Sequence, residues 1–393
     1  MKVASHIAVC AIALGSLAMP ATAQTGHRSH ATGSRRYRVY VGTYTVRDSK
    51  GIYVYNFNAG RLTPTGTPVL AAETANPSFV AIDPTEHYLY AVNETEDYQG
   101  QKTGAVSAFR IDRKTGALTF LNQVPSGGTG PCYVSLDRQG KHVLVANYSS
   151  GSVSVFPVLP GGRLGKRTAF VQHHGRSINP ERQEGPHAHD IALSPDGRFA
   201  LVADLGLDEL LVYRYNATRG TLTPNDPPFA RVAPGSGPRH FVFDPNARFV
   251  YVLSEVESTI TVFKYNAQRG SFLQVQSLSA LPDGFTGHND AAEIAIGRSG
   301  KFLYASNRGD DSIVVFAIDP VSHTLKIAAH VPTLGKTPRN FAIDPSGQYL
   351  LAANQDSDNI VVFKIDPQTG IPAPTGQVVQ VPAPVCILFM PAE

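Results

Sequence analysis

The sequence predicts an all-β fold, a seven-bladed β-propeller of four-stranded antiparallel blades, its ring closed by N- and C-terminal strands sharing one blade. Three observations carry this. A two-strand signature with an intervening turn recurs about every 50 residues, the spacing of propeller blades. Glycine and proline are abundant and no long amphipathic helical run is present, which favours many short strands joined by turns. A seventh signature is split between the two ends of the chain.

Taken in chain order, residues 1–23 read as a signal peptide. Lys2 supplies the positive start, "IAVCAIALGSLAM" is an apolar core too short to span a bilayer, and Ala21 and Ala23 form the A-x-A cleavage pattern. Residues 24–36, "QTGHRSHATGSRR", show no apolar periodicity and read as a flexible leader. The propeller domain then runs over residues 37–393. An exported protein, periplasmic or secreted, is expected, with no membrane association after cleavage and no exposed heptad to suggest anything but a monomer.

The repeat is explicit in "NPSFVAIDPTEHYLYAVNE" (76–94), "GPCYVSLDRQGKHVLVANY" (130–148), "AHDIALSPDGRFALVADL" (188–205), "GPRHFVFDPNARFVYVLSE" (237–255), "DAAEIAIGRSGKFLYASNR" (290–308) and "TPRNFAIDPSGQYLLAANQ" (337–355). In each, an alternating apolar strand meets a D-P-x-x or S-P-D-G turn, where proline presets φ and Asp, Asn or Gly closes the reversal. A more continuously apolar strand follows, then a third such as "STITVFKY" or "DNIVVFKI", then a weaker fourth. These are blades one to six. "APVCILFMP" supplies only an innermost strand, and "YRVYVGTYT" with "GIYVYNF" the second and third. Joining them as blade seven removes the open edges that invite aggregation.

The net charge of +3 gives no reason to expect a nucleic-acid partner. Two of the three cysteines, Cys132 and Cys386, lie outside the leader, in blades that are not neighbours, so no disulfide framework is expected.

These motifs, "PHAHDIALSPDGRFALVADLGLDELLVY", "GPRHFVFDP" with "SEVES", "AAEIAIGRSGKFLYASNRGDDSIVVF" and "PRNFAIDPSGQYLLAANQDSDNIVVFKID", resemble the seven-bladed propeller lactonase family, which includes propeller-type 6-phosphogluconolactonases and carboxy-muconate cyclases. The resemblance runs from about Tyr37 to the C-terminus. It implies chemistry on a lactone ring without metal or other cofactor.

Aligned repeats also align positions in space. The residues beginning the innermost strands (Ser78, Cys132, His189, Arg239, Ala292, Arg339 and Val385) should ring one mouth of the central channel, each with its successor. Second strands return to the same mouth at Glu94, Tyr148, Asp204, Glu255, Arg308 and Gln355. Packing needs only apolar residues there, so a ring that collects Arg, His and Glu from blades three to six points to a site. Lactone hydrolysis requires a base to activate water and a cationic or hydrogen-bonding group for the developing oxyanion. His189, Glu255, Arg239, Arg308 and Glu293 are the catalytic candidates, with Glu255 or His189 as base and Arg239 with Arg308 as stabilisers. The resemblance implies the same set. His187, Arg339, His240, Asn340 and Asp204 are candidate contacts to a lactone bearing a carboxylate or phosphate.

Plainer readings stand beside these. Glu94 suits a turn cap, Arg339 suits a brace between blades five and six, and Asn93, Asn147, Asn307 and Asn354 recur at one repeat position as turn residues. The histidines of "HHG" (173–175) read as solvent-exposed. His187 and His189 could share a strand face, but zinc needs a third protein ligand and nearby arginines repel a cation, so no metal is expected. A non-catalytic binding propeller and a muconate-type lactonising cyclase are the alternatives to a hydrolase.

Overall fold

The computed structural model describes residues 36–64 and 69–392; the proposed signal peptide and all but the last residue of the proposed leader lie outside the described residues. Seven antiparallel sheets form the ring. Blade three is typical: Ala188–Leu193 is innermost, followed by Phe199–Asp204, Glu209–Asn216 and Thr221–Arg231. The innermost strands of blades one, two, four, five and six are Val80–Ile82, Pro131–Leu136, Pro238–Phe243, Asp290–Ile296 and Pro338–Ile343. Blade seven is closed as expected: Pro384–Pro391 pairs with Tyr37–Thr43, which pairs with Gly51–Asn58. Its outermost position is divided between Arg61–Pro64 and Leu70–Glu73, both paired with Gly51–Asn58.

The second strands are buried on both faces, which accounts for their continuous apolar runs. Each junction between neighbouring blades holds one apolar cluster. Leu201, Val212, Phe241 and Val252 join blades three and four, for example, and Tyr40, Ile52, Leu89 and Phe109 join blades seven and one. A tyrosine then locks several junctions: the buried hydroxyls of Tyr40, Tyr90 and Tyr304 donate to Gly116, Gly162 and Gly370 carbonyls at 2.9, 3.0 and 2.8 Å. Pairing these hydroxyls removes the desolvation penalty that burying them would carry. The recurring asparagines are structural, as the repeat suggested: Asn307 and Asn354 donate to the Ala280 and Thr333 carbonyls at 2.9 and 3.2 Å. Cys132 and Cys386 are buried free thiols. Among the described residues, no helix is long and apolar enough to cross a membrane.

One feature prepares the site. The innermost strands shift register at their mouth ends, between Ala188 and Asp190, Pro238 and His240, Pro338 and Asn340, and Ala291 and Ile294. Each shift is a β-bulge, which adds an unpaired residue and re-aims its side chain. The residues bulged out of the ladder are His189, Arg239, Arg339 and the pair Ala292–Glu293, and shifts at the same place free Cys132 in blade two and Val385 in blade seven.

Candidate functional site

In a regular strand, Arg239 and His240 would point to opposite faces. The bulge lets both line the channel, and Arg339 with Asn340 do the same. Two adjoining levels result, sharing Cys132, His189 and Arg339. The upper is an open cavity of about 310 Å³ lined by Tyr44, Glu94, Cys132, Tyr148, Arg182, His189, Glu255, Asp290, Arg308 and Arg339. The lower is a chamber of about 10 Å³, roughly one water molecule in size, bordered by Ser78, His189, Arg239, His240, Glu293, Arg339 and Asn340. Ser78 Oγ is buried there without a hydrogen-bond partner.

Glu255 is the electrostatic hub. Its carboxylate accepts from Arg239 Nε at 2.7 Å and pairs with Arg308 Nη2 at 3.0 Å and with Arg182 Nη2. Burial would raise its pKa, but the charges of Arg308, Arg239 and Arg182 together hold it well below the ordinary carboxylate value. It is an ionised anchor and a poor proton acceptor. His189 Nε2 lies 3.9 Å from Glu255 Oε2, and its Nδ1 lies 3.8 Å from Cys132 Sγ. Burial, then Arg239 and His240, hold its pKa well below the ordinary histidine value, so the imidazole is neutral at pH 7.

The arginines divide by their commitments. Arg239 is 2% exposed and also donates to the Ala292 carbonyl at 2.6 Å and to His240. Arg308 donates to the Asp290 and Ala291 carbonyls besides pairing with Glu255; burial pulls its pKa down to about 10, which leaves it charged. Arg339 differs. Its guanidinium lies over the Tyr44 ring at 5.3 Å and has no ion pair or hydrogen bond among the described residues. The expected brace between blades is therefore absent; the charge faces the cavity instead.

The lower level is a second polar network. His240 Nδ1 donates to Glu293 Oε1 at 3.1 Å, and Glu293 Oε2 accepts from Asn340 at 2.5 Å. Burial opposes the Glu293 charge, but His240 and the Ile294 amide more than offset it and lower its pKa. Glu293, His240 and Asn340 thus sit beneath the floor of the upper cavity, not on its wall.

Two predicted contacts are displaced from the cavity. Asp204 is fully buried. It accepts from His173 Nδ1 at 2.6 Å and from the His187 amide at 2.8 Å, so its lone pairs fasten the blade-three approach loop. This also overturns the exposed reading of His173, which is 4% exposed; only its neighbour His174 is exposed. His187 stacks on Tyr148 at 4.6 Å and bonds the Tyr148 carbonyl and Glu184. Tyr148 lines the cavity, and His187 backs it. Gln355 is absent from the lining.

Three lining residues went unpredicted. Arg182 lies in the long connection between Ala169–Gln172 and Ala188–Leu193, where no repeat position exists to align it. It reaches Asp290 at 3.1 Å as well as Glu255, and Gln183 fixes its loop by bonding Leu205 and Asp208. Asp290 stands two residues before the ring position. Tyr44 was legible: it follows the second strand of blade seven as Glu94 does in blade one, and its hydroxyl donates to Glu94 at 3.0 Å. Among the described residues no three His, Cys, Asp or Glu side chains converge as a metal site.

A family model described as "Lactonase, 7-bladed beta-propeller" matches residues 38–389. A Bacillus subtilis protein described as 6-phosphogluconolactonase is 38% identical over 355 residues, covering 90% of this chain and 99% of its own. A Formosa agariphila protein of the same description is 37% identical over 312 residues, 77% of this chain and 85% of its own. The solved structure of a Pseudomonas aeruginosa periplasmic gluconolactonase matches with TM-score 0.85 and 36% identity, covering 91% of this chain and 100% of that one.

Proposed function

The chain belongs to the seven-bladed β-propeller lactonase family, and from that premise we propose that it opens a lactone ring in the upper cavity, using His189 as general base and Arg339 with Arg308 as oxyanion stabilisers. The carrying observation is that a neutral buried imidazole and a guanidinium that makes no ion pair among the described residues line the same cavity.

Water attacks the lactone carbonyl while His189 takes its proton, a transfer that suits a base unprotonated at neutral pH. Negative charge develops on the carbonyl oxygen, where Arg339 and Arg308 supply hydrogen-bond donors and positive charge. The tetrahedral intermediate collapses, the ring C–O bond breaks, and the histidine proton passes to the departing alkoxide. One water is consumed and a hydroxy acid is released. Glu255, 3.9 Å from His189 Nε2, stabilises the transient imidazolium without itself being protonated. This revises the sequence expectation for two residues: Glu255 holds charge rather than moving protons, and Arg239 positions Glu255 from below.

The signal-peptide reading of residues 1–23 supports action outside the cytoplasm, and one structural relative is described as periplasmic. The test is hydrolysis of a panel of lactones at neutral pH by wild type, His189→Gln and Arg339→Gln. Turnover abolished or strongly reduced in both variants supports the assignment. Tight ligand binding by wild type with no turnover of any lactone would make the protein a binding propeller.

A further inference from the structure

We propose that the mouth selects an uncharged polyhydroxy lactone over its phosphorylated counterpart, and that Glu94 and Asp290 set that preference; this rests on the lactonase reading above.

Charges of both signs face one another across the upper cavity. Arg182, Arg308 and Arg339 line it, and so do Glu94, Glu255 and Asp290. Two of the cations are already engaged: Arg308 on Glu255 at 3.0 Å, and Arg182 on Glu255 and on Asp290 at 3.1 Å, with the single Glu255 charge shared by Arg239 as well. The remaining guanidinium, Arg339, is the one that the carbonyl oxygen requires. A phosphate monoester brings about −1.5 to −2 charge at pH 7 and three strong acceptor oxygens. Its usual hosts are guanidinium forks, lysines, glycine-rich loops and helix N-termini. Among the described residues no lysine, serine, threonine or glycine lines this cavity, and no α-helix N-terminus opens on it. A dianion here would have to break the Arg182 pairs and lie beside carboxylates that repel it.

The same wall suits hydroxyl groups. A carboxylate is an acceptor with about four lone-pair sites. Glu94 uses its two oxygens toward one donor, the Tyr44 hydroxyl, and Asp290 receives Arg182 and His288. Both retain acceptor capacity toward the cavity, where a polyol offers donors. Tyr44 and Tyr148 add ring surfaces, and about 310 Å³ is at the small end of ligand pockets.

The experiment measures kcat/KM for D-glucono-1,5-lactone and its 6-phosphate, with wild type, Glu94→Gln and Asp290→Asn. Wild type should favour the neutral lactone by about tenfold or more, ~1.4 kcal/mol at one decade. Each substitution removes a repelling charge, and Asp290→Asn also loosens Arg182, so the ratio of phosphorylated to neutral rates should rise severalfold in both. Thermal melting of the same preparations checks folding. A variant that merely folds poorly lowers both rates together; a ratio unmoved in both variants overturns the assignment to Glu94 and Asp290. Wild type that prefers the phosphorylated lactone overturns the selectivity while leaving the lactonase reading intact. Hydrolysis of neither lactone, with other lactones turned over, overturns the proposed substrate class alone; turnover of none overturns both readings.

Discussion

Arg339 and Arg239 occupy equivalent repeat positions one hundred residues apart, yet the structure assigns them opposite consequences when replaced by glutamine. Arg239 is 2% exposed, with Nε on Glu255 at 2.7 Å and Nη1 on the Ala292 carbonyl at 2.6 Å. Breaking one side of a buried ion pair costs about 3–5 kcal/mol, and because Arg182 and Arg308 still hold Glu255 the lower end applies, about 3 kcal/mol. Arg339 has no ion pair among the described residues, and its contact with the Tyr44 ring contributes about 0.5–1 kcal/mol. With an unfolding entropy of ~2.1 cal/mol/K per residue, a ring of this length loses roughly 1.3 °C for each kcal/mol. Arg239→Gln should therefore melt about 4 °C below wild type, and Arg339→Gln within about 1.5 °C of it. Activity should rank differently. Losing one preorganised donor to an oxyanion costs about 10²–10³ in kcat, so Arg339→Gln should retain its fold and lose most of its turnover. Calorimetric melting and initial-rate hydrolysis of a neutral lactone decide the matter. An Arg339→Gln enzyme within threefold of wild-type kcat, or one melting as low as Arg239→Gln, refutes the division of roles.

His189→Gln should lower kcat by about 10²–10⁴, and because burial and Arg239 depress the His189 pKa, wild-type kcat/KM should stay level as pH falls through 6.5; a half-maximal loss at 6.5 would contradict a depressed imidazole. Glu255 has a folded pKa below its unfolded value of 4.5, so its stabilisation is present above pH 4.5 and is lost as pH falls through the folded value. Melting temperature followed from pH 6 to 3 should drop steeply below 4.5 in wild type and less steeply in Glu255→Gln. At Gly206 a Cβ would lie 1.8 Å from the Gly185 carbonyl oxygen and 3.0 Å from the His187 amide, both backbone atoms. Gly206→Ala should cost about 1–3 kcal/mol in denaturant unfolding and reduce activity by shifting the loop that carries Arg182; an unchanged midpoint would show that the loop yields freely.

The ring was legible because its cause is periodic. Each blade repeats the same turn and the same buried second strand, so blade number, strand order and the closure through Pro384–Pro391 follow from pattern alone. The mouth residues followed from the same alignment, and His189, Glu255, Arg308 and Arg339 do line one cavity. What periodicity could not convey was the bulge, a local departure from alternation, which is why Glu293, His240 and Asn340 were placed with the rest when they form a lower level. Arg182, His173 and Asp204 were missed or misread for one reason. They belong to the blade-three loop and its anchor, and a non-repeating connection has no sister segments to reveal its contacts. His187, in the same loop, looked like a free polar group because its partners, Tyr148 and Glu184, come from another blade and from the loop itself.

The bulges at the mouth bear on how such a molecule can change. Each lets successive residues of one short strand end reach the channel, while the residues that hold the sheets together lie farther along the strands in the seams between blades. Chemistry and cohesion are thus written in separate places along the same strand. The upper wall draws its groups from all parts of the ring, Tyr44 and Glu94 from blades seven and one, Glu255, Arg308 and Arg339 from four, five and six. A lineage can exchange one acceptor or one cation at a single strand end and keep every seam untouched. New substrates are reached by editing the rim one spoke at a time.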